Sequence, residues 1–400
     1  MKIKSLLIAL IIGVVLLGAC ATPIPSPVPQ ETPTFTSSLV PQETSAPPTQ
    51  TLVATATSTP SPSPTKTASA PTTQPTQPTK PTQPSPPTSP ASQTVTPTSQ
   101  PTKPSGWTEA ERIEPDRAKG FNYPYYLYIP TTIQKTNQTN YLLVEGNNSG
   151  GVASDDQTVH DAAAKKIAEK KDAPLAEALG TPLLVPAFPV PLKYNPGGTG
   201  SIVMNTQGLD RSTLLTNDND LKRLDLQLIA MIDNAIQRLS QRGINLQKKV
   251  LMDGFSSSGA FANRFIILHP DRIQAATVGP CMGWPVAPLA EWKGTTLNYP
   301  LGVADLKQIV GKDFDIQTFK SVPLHFYLGD QDPDQMGGEE QKLMFQYGST
   351  AAARFPEAEK IYQSVGCSSQ FVLYPGVKHE VTSDELKDII TFFLNHMAAS

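Results

Sequence analysis

Residues 248–270, "KKVLMDGFSSSGAFANRFIILHP", join a short apolar run to a longer helical pattern through a turn of glycine and serine. The run "KKVLMDG" predicts a β-strand, and "GAFANRFIILH" predicts a helix that ends before Pro270. A sharp turn between a strand and a helix exposes one side chain and points the helix N-terminus at it. We therefore expect a nucleophilic serine within "GFSSSG", residues 254–259.

Three serines compete for this position. Ser256 has Gly254 two residues before it and Ser258 two residues after it, and small residues there let the turn close against neighbouring strands. Ser257 would instead place the bulky Phe255 where a small residue is needed. Ser258 has small neighbours but falls within the predicted helix. The predicted nucleophile is therefore Ser256, with Ser258 as the alternative.

Strand-like and helical patterns alternate through the rest of the chain from residue 106 onwards. Helices are predicted over 217–242 and from "TSDELKDIITFFLNH" (382–396), where Thr382 or Ser383 can cap the N-terminus. This alternation predicts an α/β fold with a mostly parallel central sheet flanked by helices, whose functional groups lie at the carboxyl ends of the strands. The further strand candidates are "YPYYLYIP" (123–130), "NYLLVEG" (140–146), "TPLLVPAFPV" (181–190), "IQAATVG" (273–279), "VPLHFYLG" (322–329) and "QFVLYPG" (370–376).

The segment "GFSSSG" between its strand and helix resembles the G-x-S-x-G nucleophile elbow of the α/β-hydrolase superfamily. The following "ANRFIILHPDRI", residues 262–273, is similar to the extracellular esterases and polyester depolymerases of that superfamily. Ser258 stands where the motif has its second glycine, and we interpret this small residue as a variant. The resemblance implies the α/β-hydrolase fold and a chain order of serine, acid and histidine.

A serine needs a base to take its proton. His379 in "YPGVKHEVT" (374–382) lies in a loop directly after the last predicted strand, where the superfamily places its base. We therefore predict His379 as the base. The other histidines lie in or beside predicted helices and strands and are interpreted as structural: His160, His269, His325 and His396.

The third member of such a site is a carboxylate that orients the histidine. The turn "GDQDPD", residues 329–334, offers Asp330, Asp332 and Asp334. The acid of the superfamily often follows a strand-ending glycine by three residues, which points from Gly329 to Asp332. Asp330 and Asp334 remain alternatives, because aspartate and proline are also ordinary turn residues.

Acyl transfer also needs backbone N–H groups that stabilise a developing oxyanion. The residue after the nucleophile, Ser257, is the first predicted donor. The second is expected from the polar turn in "LLVEGNNSGG" (142–151), whose candidates are Asn147 and Asn148. A turn without a catalytic role is the alternative for either asparagine.

A long irregular segment follows the predicted strand at 273–279. Such segments often form binding walls or lids, so Trp284, Trp292 and Tyr299 are candidates for a substrate pocket, with core anchors as the alternative. The sequence shows no metal-ligand spacing, phosphate loop or cofactor fingerprint, so we expect neither a metal nor a cofactor.

The first twenty residues, "MKIKSLLIALIIGVVLLGAC", combine a basic start, an apolar run and small residues before Cys20. This layout predicts an export signal, and it resembles the bacterial lipoprotein signal. The resemblance implies cleavage after residue 19, lipid on Cys20, and a cell-membrane lipoprotein on the extracytoplasmic face.

Residues 20–105 form a second compositional region, which holds more than half of the 40 prolines of the chain. Such a Pro/Thr/Ser-rich segment predicts a disordered linker between the anchor and a catalytic domain at 106–400. The net charge of −3 argues against a nucleic-acid partner. An oxidising exterior permits Cys281 and Cys367 to pair, but their spacing does not decide whether they do.

These features together predict a surface-displayed serine hydrolase that cleaves small or polymeric carboxylic esters with Ser256, His379 and Asp332. A serine peptidase of the same fold is one alternative, because the same three groups cleave amides. A non-catalytic surface-binding module is the other.

Overall fold

A computed structural model describes residues 109–133, 140–198, 202–333 and 343–397. The predicted signal, Cys20, the whole predicted linker over 20–105 and Asp334 lie outside these residues. Within them, one sheet contains eight strands and a separate hairpin contains two. The sheet strands are β1 (Glu111–Ile113), β2 (Tyr125–Tyr128), β3 (Leu143–Glu145), β4 (Leu183–Pro186), β5 (Val250–Asp253), β6 (Ile273–Val278), β9 (Leu324–Gly329) and β10 (Ser369–Tyr374), and the hairpin strands are β7 (Glu291–Trp292) and β8 (Thr295–Thr296).

The sheet has the strand order β1-β2-β4-β3-β5-β6-β9-β10. β2 runs antiparallel to both of its neighbours, and every other pair in the sheet is parallel. The central strands are buried along their whole length, as expected when helices cover both faces of a parallel sheet. This arrangement is the α/β-hydrolase fold and confirms the predicted fold class.

Helices lie between the strands and cover the sheet. β5 shows how the sheet contributes to a core on each face: Val250 and Met252 pack into one apolar cluster, and Leu251 between them packs into another. Within the described residues, no helix is both long and apolar enough to cross a bilayer. The helices are α1 (Gln157–Lys166), α2 (Ala173–Leu179), α3 (Arg211–Leu215), α4 (Leu224–Gln241), α5 (Ser257–Leu268), α6 (Leu306–Val310), α7 (Ile316–Phe319), α8 (Ala351–Ser364) and α9 (Ser383–Met397).

The helix predicted over 217–242 begins seven residues later, at Leu224. Asp218 binds the backbone of the turn instead, because its Oδ1 accepts a hydrogen bond from the Asp220 amide at 3.0 Å. Arg223, directly before the helix, has a φ of 52°, which a right-handed helix excludes. The apolar periodicity therefore begins before Leu224, but local hydrogen bonds prevent the helix from starting earlier.

The start of α9 is close to its predicted place. Thr382 Oγ1 accepts a hydrogen bond from the Glu385 amide, and Glu385 Oε2 accepts one from the Thr382 amide at 2.7 Å. This reciprocal capping box selects Thr382 as the capping residue. The cap fixes where the loop after β10, which carries His379, passes into the last helix.

Candidate active site

Ser256 lies in the sharp turn between β5 and α5. Its backbone has φ 64° and ψ −123°, a conformation that non-glycine residues rarely adopt. A Cβ atom at Gly254 would lie 2.4 Å from the backbone oxygen of Ser258, so this position of the turn requires glycine. The sequence therefore folds into the tight strand–turn–helix that presents the Ser256 side chain at the carboxyl end of a central strand.

Ser258, which replaces the second glycine of the motif, is buried beneath this turn. Its Oγ accepts a hydrogen bond from the Phe255 amide at 3.0 Å and donates one to Glu145 Oε1 at 2.6 Å. A Cβ atom at Gly146 would lie 2.9 Å from the Ser258 Cβ. Serine is accommodated because Gly146 leaves space for it, and its hydroxyl ties the turn to the end of β3.

Ser256, His379 and Asp332 form one hydrogen-bonded series. Ser256 Oγ lies 2.9 Å from His379 Nε2, and His379 Nδ1 lies 2.8 Å from Asp332 Oδ2. A carboxylate can only accept here, so Nδ1 carries the proton and Nε2 is left to accept from the serine hydroxyl. This geometry allows His379 to take the Ser256 proton. The Phe255 ring packs on the imidazole with 4.7 Å between ring centroids.

The two described carboxylates of the acidic turn after β9 have different hydrogen-bond partners. Asp332 is 8 % exposed and reaches His379, whereas Asp330 Oδ1 accepts from the Gly376 amide at 2.7 Å and so holds the turn after β10. Asp334 lies outside the described residues. Of the two described candidates, Asp332 is therefore the one placed to orient the histidine.

The predicted oxyanion donors differ in their surroundings. Ser257 is the first residue of α5, so its amide is among those that the helix leaves without an intrahelical acceptor. Asn148 lines the cavities beside Ser256, and its Nδ2 donates to the Phe255 carbonyl at 3.1 Å. The buried Asn147 side chain instead donates to the Phe188 carbonyl at 3.3 Å. The surroundings favour Asn148 over Asn147, and the oxyanion roles stay predictions.

Two cavities meet at Ser256 and His379. One, of about 370 Å³, has apolar walls from Val190, Ile202 and Met282. The other, of about 440 Å³, is lined by Lys166 and Lys171 among others. Sequence reasoning missed these wall residues because they come from segments far apart in the chain, with no local pattern that relates them.

The three predicted pocket aromatics are not among the lining residues of either cavity. Trp284 is buried and donates Nε1–H to the Leu301 carbonyl at 3.1 Å, while Trp292 donates to Glu357 Oε1 at 2.8 Å. Tyr299 is fully buried, and its hydroxyl donates to the Leu209 carbonyl. Their hydrogen bonds anchor the long segment after β6, which contributes Met282 to the apolar cavity, and the role of these three aromatic residues in substrate binding stays a prediction.

The two cysteines in the described residues are free thiols. Cys281 is buried, and burial raises the pKa of its thiol to about 12, which disfavours the thiolate. The described residues also hold no group of three or more His, Cys, Asp or Glu side chains arranged to bind a metal ion.

No family model and no curated protein matches this chain. Poly(aspartic acid) hydrolase-1 from Sphingomonas sp. KT-1 is similar in structure at 19% identity, with a TM-score of 0.47 over 73% of this chain and 98% of that chain. The poly(3-hydroxybutyrate) depolymerase LpqC from Bordetella parapertussis shows 16% identity and a TM-score of 0.48 over 72% of this chain and 89% of that chain. An S-formylglutathione hydrolase from Agrobacterium tumefaciens shows 13% identity and a TM-score of 0.42, covering 72% and 93%.

Because these sequence identities and TM-scores are low, the fold of this chain is identified from its strand order. β5 lies in the middle of the sheet, and the turn that follows it carries Ser256. The chain has the α/β-hydrolase fold, with Ser256 at the turn between a central strand and the helix that follows it.

Proposed function

We propose that the protein is a serine hydrolase that cleaves carboxylic esters through an acyl-enzyme. The observation that carries this proposal is the hydrogen-bonded series from Asp332 through His379 to Ser256, with distances of 2.8 and 2.9 Å. A buried acid, a correctly protonated imidazole and a hydroxyl in a strained turn are the groups that nucleophilic acyl transfer needs.

In the first half-reaction, Ser256 Oγ attacks the ester carbonyl while His379 Nε2 takes the hydroxyl proton. The tetrahedral oxyanion is stabilised by the Ser257 amide and a donor from the Asn148 turn. When the carbon–oxygen bond breaks, His379 gives its proton to the departing alcohol. Asp332 stabilises the imidazolium throughout.

In the second half-reaction, water attacks the acyl-enzyme and loses a proton to His379. The bond to Ser256 Oγ breaks, the carboxylic acid departs, and the proton returns to the serine. The apolar cavity formed by Val190, Ile202 and Met282 suits an acyl chain beside the nucleophile. The similarity of residues 262–273 to extracellular esterases supports esters over amides.

The test compares p-nitrophenyl butyrate with the matched p-nitroanilide of butyric acid. We expect turnover of the ester, far slower turnover of the anilide, and loss of both activities in Ser256→Ala. Ser321→Ala, at an exposed position away from the site, should match the wild type. Equal or greater activity on the anilide would favour a peptidase, and ester turnover that survives in Ser256→Ala would refute the proposal.

We also propose that lipid on Cys20 holds the protein at the extracytoplasmic face of the cell membrane, with residues 20–105 as a spacer. The order of basic residues, apolar run and small residues before Cys20 supports this placement. Polymeric esters outside the cell would then be accessible to the domain.

A further inference from the structure

A third cavity, of about 370 Å³, lies beside His379 and Asn148 on the side where β3 and β5 end. Its walls hold four side chains that can carry a negative charge and one lysine, Lys171. This composition differs from that of the apolar cavity lined by Val190, Ile202 and Met282. The four acidic residues are Glu145, Asp172, Asp253 and Glu380.

Glu145 is the deepest of these acids and is 4 % exposed. Its Oε1 accepts a hydrogen bond from the Ser258 hydroxyl, but its buried Oε2 has no hydrogen-bond partner among the described residues. Burial of a carboxylate oxygen without a partner is costly, and proteins rarely retain it without a use. A positive charge in the cavity, next to the reaction centre, would offset this cost by favouring the ionised carboxylate.

The surroundings of these carboxyl groups raise their pKa values, so the charged form is disfavoured. Burial, and then repulsion from Asp172 and Asp253, raise the pKa of Glu145 well above its usual value. Burial also raises the pKa of Asp253 to about 6, although its carboxylate accepts a hydrogen bond from Thr277. A cation in the cavity would relieve both causes, because it replaces lost hydration and offsets the repulsion.

The remaining walls are compatible with an organic cation. Phe255 and Tyr327 line the cavity, and the faces of aromatic rings attract ammonium groups. Lys171 and Glu380 are both exposed, so these two opposite charges offset each other at accessible positions. The ionisation of Glu145, Asp172 and Asp253 then sets the charge of the interior, and a bound cation favours the ionised form.

We propose that this acidic cavity, formed around Glu145, Asp172 and Asp253, binds an ammonium group of the substrate while Ser256 attacks its ester. The inference rests on the proposed esterase function and names its substrate class: esters in which the acid or the alcohol carries a fixed or protonated amine. The cavity acts by binding and takes no part in the proton transfers.

The test uses isosteric substrate pairs that differ in one charge. The acyl pair is the p-nitrophenyl esters of 4-(trimethylammonio)butanoate and 5,5-dimethylhexanoate, and the alcohol pair is acetylcholine and 3,3-dimethylbutyl acetate. The quaternary nitrogen cannot attack its own ester. We expect kcat/KM for the cationic member of one pair to exceed that of its neutral isostere by about tenfold or more, equivalent to about 1.4 kcal/mol.

Glu145→Gln and Asp172→Asn keep the shape of the cavity but remove charge. Each should lower the cationic-to-neutral ratio of kcat/KM several-fold, whatever its effect on the turnover of the neutral ester. Asp313→Asn is the matched control. It removes an exposed carboxylate that forms an ion pair with Lys307, and it should leave the cationic-to-neutral ratio unchanged. A ratio near one in the wild type, or a ratio unchanged in both cavity variants, would overturn the inference while leaving the esterase function intact.

Calorimetry with Ser256→Ala provides a readout that does not depend on turnover. The cationic ester should bind more tightly than its neutral isostere, and Glu145→Gln in the same background should remove the difference. Equal binding of the two isosteres to Ser256→Ala would overturn the inference. Absence of ester turnover with preserved cation binding would instead count against the proposed function alone.

Discussion

Asp330 and Asp332 lie two residues apart in one turn, but their carboxylates have different partners. Asp332 accepts from His379 Nδ1 at 2.8 Å, and Asp330 accepts from the Gly376 amide at 2.7 Å. One carboxylate therefore orients the imidazole, and the other joins the loops after β9 and β10. This difference gives a matched pair of substitutions at the residue scale.

Asp332→Asn should lower kcat on a p-nitrophenyl ester by about a thousandfold or more, because the amide can donate to Nδ1 and so favours the wrong tautomer. Asp330→Asn should keep kcat within a few-fold, since it leaves the imidazole untouched. Steady-state kinetics of both purified variants measure this difference. A larger loss in Asp330→Asn than in Asp332→Asn would contradict the assignment.

The choice of Ser256 among the three serines could be made from the size of the neighbouring residues alone, because steric limits at the turn depend on local sequence. The sequence narrowed the carboxylate that orients His379 to three candidates but did not choose among them. The choice depends on which carboxylate forms a hydrogen bond with a histidine 47 residues away. Nothing in the sequence marked Glu145 as a candidate site residue, because an acidic residue is common at the end of an apolar strand. Its importance arises only from packing.

At the scale of elements, β3 and the β5–α5 turn are fitted to each other through Gly146 and Ser258. The serine fills the space that a motif glycine would leave, and Gly146 compensates by lacking a Cβ atom. The two positions should therefore be energetically coupled.

Gly146→Ala should reduce the free energy of unfolding by about 1–3 kcal/mol, because its Cβ would lie 2.9 Å from the Ser258 Cβ. Adding Ser258→Gly should recover part of that loss by removing the colliding atom. Denaturant unfolding of the two single variants and the double variant measures the coupling. Strict additivity of the two effects would show that the positions are independent.

Seven of the eight strands of the sheet, and α5, could be predicted because apolar runs and turn residues are local signals. β1 (Glu111–Ile113) was not among the predicted strands. The start of α4 was predicted seven residues too early, because hydrogen bonds of Asp218 and the backbone of Arg223 override periodicity there. The role of the aromatic residues after β6 could not be predicted for another reason. Sequence shows that Trp284 and Tyr299 are large, but not whether their polar atoms meet backbone carbonyls or a ligand.

At the scale of the whole molecule, the described domain and the N-terminal region have different compositions and different proposed tasks. The domain supplies the hydrogen-bonded series and its cavities, while Cys20 and the Pro-rich region at 20–105 are proposed to set location. These tasks should be separable by mutation.

Cys20→Ser should move the protein from the membrane fraction to the soluble exported or precursor fraction, because the hydroxyl cannot replace the thiol that accepts lipid. Its specific ester activity should be unchanged. Fractionation with immunodetection, and metabolic labelling with a fatty-acid analogue, provide the measurement. Equal membrane retention and equal labelling of Cys20→Ser would contradict lipid anchoring at this residue.

Ser256 is the proposed nucleophile, and active-site labelling followed by peptide mapping identifies the residue that reacts. The folded protein is treated with a fluorophosphonate, and the modified residue in the peptide containing 254–259 is located by mass spectrometry. We expect one adduct, on Ser256, with parallel loss of ester turnover. An adduct on Ser257 or Ser258, or no adduct on folded protein, would contradict the assignment of Ser256.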